Sequence, residues 1–150
     1  MIEIKATNEI KKDKFSIFLA GSIDMGTAVN WQDELVTRLL DYDGYLYNPR
    51  RDDWDSSWEQ NIQNKQFREQ VEWELDAMDA ADLIIYYFAK DSKSPITLLE
   101  LGLHKEDNII VCCPEGFYRK GNIDIICNRY NIAECKTLNE LVIQILNKLK

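Results

Sequence analysis

The chain is poor in the residues that mark several protein classes. It has a single histidine, His104, and its four cysteines, Cys112, Cys113, Cys127 and Cys135, include no CxxC pair. These spacings make neither a zinc nor a redox motif, so no metal and no other cofactor is expected. The cysteines read instead as reduced structural thiols of a cytoplasmic protein. Cys112 and Cys113 are adjacent on an expected strand, which sends them to opposite faces. Only three prolines and six glycines are spread through 150 residues, with no repeat, linker or low-complexity tract. One domain over residues 1–150 follows, long enough to bury about two-thirds of its unfolded surface. No run reaches the roughly 18 apolar residues of a membrane span. Met1-Ile2-Glu3-Ile4-Lys5 lacks the apolar core of a signal peptide, so neither membrane nor export is expected. Positive charge is scarce as well: 18 Lys and Arg stand against 26 Asp and Glu, a net charge of −8. A nucleic acid polymer demands a basic face and is excluded as a partner; a small anion in a local basic pocket is not.

What is present alternates strand and helix. Phe15 to Ala20 is a short apolar run ending in Gly21-Ser22, a buried strand. Ala28 to Leu40 has helical spacing, with Thr27 as its cap. Tyr45-Leu46-Tyr47 reads as a second strand ending at Asn48-Pro49, and a polar Trp- and Asp-rich loop leads to a long helix over about Ile62 to Ala80. Asp82 to Phe88 is the clearest strand, an unbroken apolar run suited to a central parallel position. Ser94 is placed to cap a helix opened by Pro95 at its first position. Asn108 to Cys113 is a fourth strand, Pro114 to Asn131 a loop with a short helical stretch, and Ile132-Ala133 a brief fifth strand. Thr137 caps a final amphipathic helix through Leu149. The alternation predicts an α/β fold: a doubly wound sheet of about five parallel strands with helices on both faces.

Four constellations carry possible chemistry. The first is the turn from Gly21 and Ser22 through Asp24 to Thr27, which lies between a strand and a helix N-terminus and can present backbone N–H groups to an anion or a sugar hydroxyl. It lacks both GxGxxG and the P-loop ending, and an ordinary capped turn explains it equally. In the second, the loop Asn48-Pro49-Arg50-Arg51-Asp52-Asp53-Trp54-Asp55 offers stacking, cation–π contact and ion pairing suited to a heterocyclic base, or is simply a solvated charged loop. Glu74 is the third. It borders the packing face formed by Phe67, Val71, Leu75 and Met78, where burial beside Trp73 would raise its pKa for acid/base work; a solvated acid like Glu72 or Asp76 is the alternative. The fourth is Glu100, which forms a polar stripe with Thr97 and His104 at i, i+3 and i+7, a pattern any helix with one exposed edge would show. Its place near the end of a strand is where open α/β sheets bind ligands. Two carboxylates flanking a pocket suit glycosidic chemistry through a cationic transition state.

The ordered set Phe18-Leu19-Ala20-Gly21-Ser22-Ile23, Asn48-Pro49-Arg50, Trp73-Glu74, Ala81-Asp82-Leu83-Ile84 and Leu99-Glu100-Leu101-Gly102 resembles nucleoside 2-deoxyribosyltransferase-like proteins over about residues 15 to 131. The resemblance implies a flavodoxin-like sheet of five parallel strands and cleavage of the N-glycosidic bond of a 2′-deoxynucleoside or related nucleotide. It implies that Glu100 is the nucleophile that attacks C1′ and that Glu74 protonates or orients the departing base. Gly21 and Ser22, with Asp24 in the same turn, would lie under the sugar or its phosphate. Asn48, Arg50, Asp53 and Trp54 would face the base. The segment Gly121-Asn122-Ile123-Asp124 resembles one that a neighbouring subunit lends to the site, so that Asn122 and Asp124 would act across a homo-oligomer. The chain departs from the pattern in two places: Phe18 stands where some transferases have a tyrosine, and Ser94 where some carry a base-binding aspartate.

The expectation is therefore a cytoplasmic homo-oligomer whose partners are a small nucleoside or nucleotide and a free nucleobase. It transfers a 2-deoxyribosyl group from one base to another through a covalent glycosyl-Glu100 intermediate. Two alternatives are a nucleoside 5′-monophosphate N-glycosidase that uses water as acceptor, and a non-catalytic nucleotide-binding module on the same fold.

Overall fold

In the computed structural model the described residues are 1–22 and 30–150; the expected cap Thr27, the start of the first expected helix and the candidate Asp24 lie outside them. Mostly apolar, buried runs make the four central strands, and shorter, half-exposed segments make the two edges. β1 (Ile2–Lys5), β2 (Ser16–Gly21), β3 (Tyr45–Asn48), β4 (Leu83–Tyr87), β5 (Ile109–Cys112) and β6 (Ala133–Cys135) form one all-parallel sheet in the order β1-β3-β2-β4-β5-β6. Between them run α1 (Trp31–Arg38), α2 (Lys65–Ala80), α3 (Pro95–Leu103), α4 (Lys120–Tyr130) and α5 (Leu138–Lys148). Strands β2 to β6 follow the 2-1-3-4-5 order of flavodoxin-like sheets, and β1 adds an edge strand beside β3, one more than expected. Its Ile-Glu-Ile-Lys alternation suits an edge with one covered face.

Each face of the sheet carries its own core. On one, Phe18, Tyr86, Phe88, Val111 and Cys113 pack with Trp73 and Met78 of α2, Leu101 of α3 and Ile123 and Cys127 of α4. On the other, Ile17, Leu19, Ile85, Ile110 and Cys112 meet Trp31 and Leu35 of α1 and Leu141 and Ile145 of α5. Cys112 and Cys113 do face opposite ways, and all four cysteines are free and buried.

Helix ends differ from expectation where a better cap lay nearby. The Asn30 side chain accepts from Asp33 N and caps α1. Asn64 accepts from Phe67 N, so α2 begins at Lys65 rather than near Ile62. Thr137 caps α5 as expected. Residues 114–131 hold a full eleven-residue α4, not a short helical stretch. Ser94 makes no side-chain cap bond to α3; it takes a left-handed conformation (φ 49°), and its hydroxyl bonds elsewhere.

The chain leaves β2 toward α1 on one face and β4 toward α3 on the other. Connections that diverge this way open a crevice at the carboxyl ends of the two adjacent strands. Gly21 ends β2 at that crevice, where an added Cβ would lie 2.7 Å from the Tyr87 carbonyl oxygen and 2.6 Å from the Trp31 ring. Only glycine lets β2, β4 and α1 approach this closely.

Candidate active site

The polarity of α3 is inverted. An amphipathic helix on a sheet normally turns its apolar stripe inward. Here Thr97, Glu100 and His104 are buried, while Ile96, Leu99 and Leu103 are 60%, 60% and 63% exposed. The polar stripe expected at a solvent edge therefore faces the protein interior, and it delivers Glu100 to the crevice.

A cavity of about 590 Å³ occupies that crevice. Its floor is Phe18, Ala20, Gly21 and Ser22 from β2. One wall is Phe67, Gln70, Val71, Glu74 and Leu75 from α2, and another is Ser94 to Thr97 with Leu99, Glu100 and Leu103 from α3. Pro49, Arg50, Arg51 and Trp54 close the end above β3. Glu74 and Glu100, 26 positions apart in sequence, thus line one chamber beside Gly21.

The two carboxyls are held toward their protonated forms. Burial lifts Glu100 to about 8, with the neighbouring Glu74 charge adding to the rise. Burial lifts Glu74 to about 7, while a hydrogen bond from the Gln70 amide to its Oε1 (2.9 Å) pulls the other way. Two buried acids in a mostly apolar chamber, one of them raised further by the other's charge, retain a proton between them near neutral pH.

At the N-terminus of α3 three buried hydroxyls meet. Ser92 Oγ lies 2.7 Å from both Ser22 Oγ and Ser94 Oγ, and Ser22 and Ser94 are themselves hydrogen-bonded. Hydroxyls clustered beside unpaired helix N–H groups suit an anion or sugar oxygens. Arg50 lines the same cavity and makes no ion pair among the described residues.

Gly21, Ser22, Arg50, Trp54, Glu74, Ser94 and Glu100 are thus brought together. Asn48 and Asp53 lie behind the lining. Asn48 is buried, donates to Glu3 Oε1 (2.7 Å) and accepts from Arg50 N (3.0 Å), so it braces the β3 loop. Asp53 is exposed and holds Arg51 through two bonds of 2.9 and 3.0 Å, placing that guanidinium over the Trp58 ring. Asn122 and Asp124 sit on α4, away from this cavity; Asp124 pairs with Lys120 (2.7 Å) in a charged recess beside Glu134. Gln70, Ser92 and Thr97 went unremarked as site residues in the sequence. Gln70 had one usable signal, its place four residues before Glu74 on a helix; Ser92 had none.

Among the described residues, no cluster of three or more His, Cys, Asp or Glu side chains is arranged to hold a metal ion. No helix is long and apolar enough to cross a membrane among those residues. No curated protein matches the chain. A family model described as "Nucleoside 2-deoxyribosyltransferase like" matches residues 14–117, which include every strand and helix that lines the cavity.

Proposed function

Because the chain belongs to the nucleoside 2-deoxyribosyltransferase-like family, we propose that it cleaves the N-glycosidic bond of a 2′-deoxynucleoside through Glu100 and passes the sugar to a second base. The observation that carries this reading is the shared cavity of Glu74 and Glu100 at the switch point of the sheet. In the first step the Glu100 carboxylate forms a bond to C1′. The C1′–N bond breaks, its electron pair goes to the base, and the Glu74 carboxyl gives its proton to a base nitrogen. In the second step a nitrogen of the incoming base attacks C1′, the Glu100–C1′ bond breaks, and the proton released by that nitrogen returns to Glu74. The cationic character of both transition states is offset by the ionised Glu100.

A second reading, hydrolysis of a nucleoside 5′-monophosphate with water as acceptor, is favoured by the hydroxyl cluster of Ser22, Ser92 and Ser94 at the start of α3 and by Arg50 in the cavity lining. The two readings separate in one assay. Deoxynucleosides and their monophosphates are incubated with and without a free acceptor base. Exchange that depends on acceptor supports the transferase, and base release indifferent to acceptor supports the hydrolase. A non-catalytic binding module would bind these ligands and convert none of them.

The active form in this reading is a cytoplasmic homo-oligomer. Its support is the exposed apolar face of Ile96, Leu99 and Leu103 at the cavity rim, which a second copy would cover. The α4 residues Asn122 and Asp124 then act on a neighbour's site rather than their own. The four reduced, buried thiols suit a reducing compartment.

A further inference from the structure

Gln70 stands on α2 one turn before Glu74, is 5% exposed and lines the cavity. Its amide nitrogen donates to the Pro49 carbonyl oxygen at 2.8 Å and to Glu74 Oε1 at 2.9 Å. A backbone carbonyl can only accept, so Pro49 fixes which end of the amide turns toward it. The other end, Gln70 Oε1, is sealed from water and has no hydrogen-bond partner among the described residues. A dry, unpaired acceptor is costly and rare in native interiors. Gln70 borders the cavity, and a base reaching Oε1 from it must displace the contacts that now cover that atom.

We propose that Gln70 selects the base: its nitrogen holds Glu74 while its Oε1 accepts an N–H from the departing base. The proposal rests on the glycosidic reading above and adds a substrate class to it. The preferred base presents an amino group beside the nitrogen that Glu74 protonates. A 6-aminopurine offers this pairing, with N7 as acceptor and the 6-amino group as donor on one edge. A 6-oxopurine sets a second acceptor against Oε1. Gln70 cannot answer by turning its amide over, because its oxygen would then meet the Pro49 carbonyl. Arg50 supplies the rival explanation: its Nε–H is also sealed and has no partner among the described residues, on the residue next to Pro49. If Arg50 Nε–H turned to Oε1, the base would go unread at this position.

The test compares kcat/KM for 2′-deoxyadenosine and 2′-deoxyinosine, which differ at the six-position and the adjoining N1, in the parent and in Gln70→Leu. The parent is expected to favour deoxyadenosine by about tenfold or more, as a buried acceptor discriminates against a base that cannot donate to it. In Gln70→Leu the ratio falls to within about threefold of one, with the loss on deoxyadenosine. A parent ratio near one, or a ratio unchanged in Gln70→Leu, overturns the proposal. If neither nucleoside is converted, transfer from these purine deoxynucleosides fails, and selection is read from calorimetric titration of the parent with adenine and with hypoxanthine. Tighter adenine binding by about tenfold upholds it; equal binding, or none, overturns it.

Discussion

Glu74 and Glu100 sit in a chamber whose walls are mostly hydrocarbon, and this sets their chemistry. In the proposed reaction, nucleophilic attack needs Glu100 ionised, and departure of the base needs Glu74 protonated. Apparent values of about 7 and about 8 for the pair predict a bell-shaped kcat/KM profile with limbs at those two positions, measurable by initial rates across pH. In Glu74→Gln the charge that raises Glu100 is gone, so the Glu100 limb moves to lower pH. Stability follows the opposite logic from an ion-paired acid. The folded pKa of Glu100 lies above its ordinary 4.5, so its contribution is fully present below about 4.5 and is lost as pH rises through about 8. Glu100→Gln, which cannot ionise, is therefore expected to be more stable than the parent at about pH 9 by about 2–4 kcal/mol, with the gap closing below about pH 4.5 in thermal melts.

At the scale of elements, α3 shows what periodicity can and cannot say. The spacing of Thr97, Glu100 and His104 was readable as one stripe, and Ile96, Leu99 and Leu103 as another. Which stripe turns inward depends on what covers the outside, and a single sequence does not contain that. The central strands and their alternation with helices were legible because buried parallel strands require continuous apolar runs, as in Leu83 to Tyr87, whereas the alternating edge strand β1 was not. The cap at Asn30 was missed because it stands between Val29 and Trp31, inside the spacing read as helix from Ala28, and the cap at Asn64 because it stands in a polar stretch with no periodicity to mark a boundary. Glu74 and Glu100 were legible as a pair through the order of motifs, whereas Gln70 acquires its role only from contact with Pro49 and Glu74. The crevice itself depends on Gly21. Gly21→Ala would press a methyl group into the Tyr87 carbonyl and the Trp31 ring, and is expected to cost about 1–3 kcal/mol in denaturant unfolding, with reduced turnover at the cavity floor.

For the molecule as a whole, the exposed apolar face of α3 lies at the rim of the cavity, so if the proposed homo-oligomer covers it, assembly and activity fail together. Leu99→Glu, a charge in the centre of that face, is expected to shift the protein to smaller species in light scattering and to lower kcat/KM without lowering the melting temperature of the monomer. In a chain whose net charge is −8, two basic groups, Arg50 and Arg51, line the cavity. All of this turns on one atom pair, the Glu100 carboxylate and C1′ of the sugar. Acid quenching of the parent during turnover of a deoxynucleoside, followed by peptide mass analysis, is expected to show one 2-deoxyribosyl group on the peptide bearing Glu100. Glu100→Ala is expected to show none and to lose turnover by at least about 10²–10⁴. A sugar found on a different side chain, or Glu100→Ala turning over at the parent rate, would contradict the account.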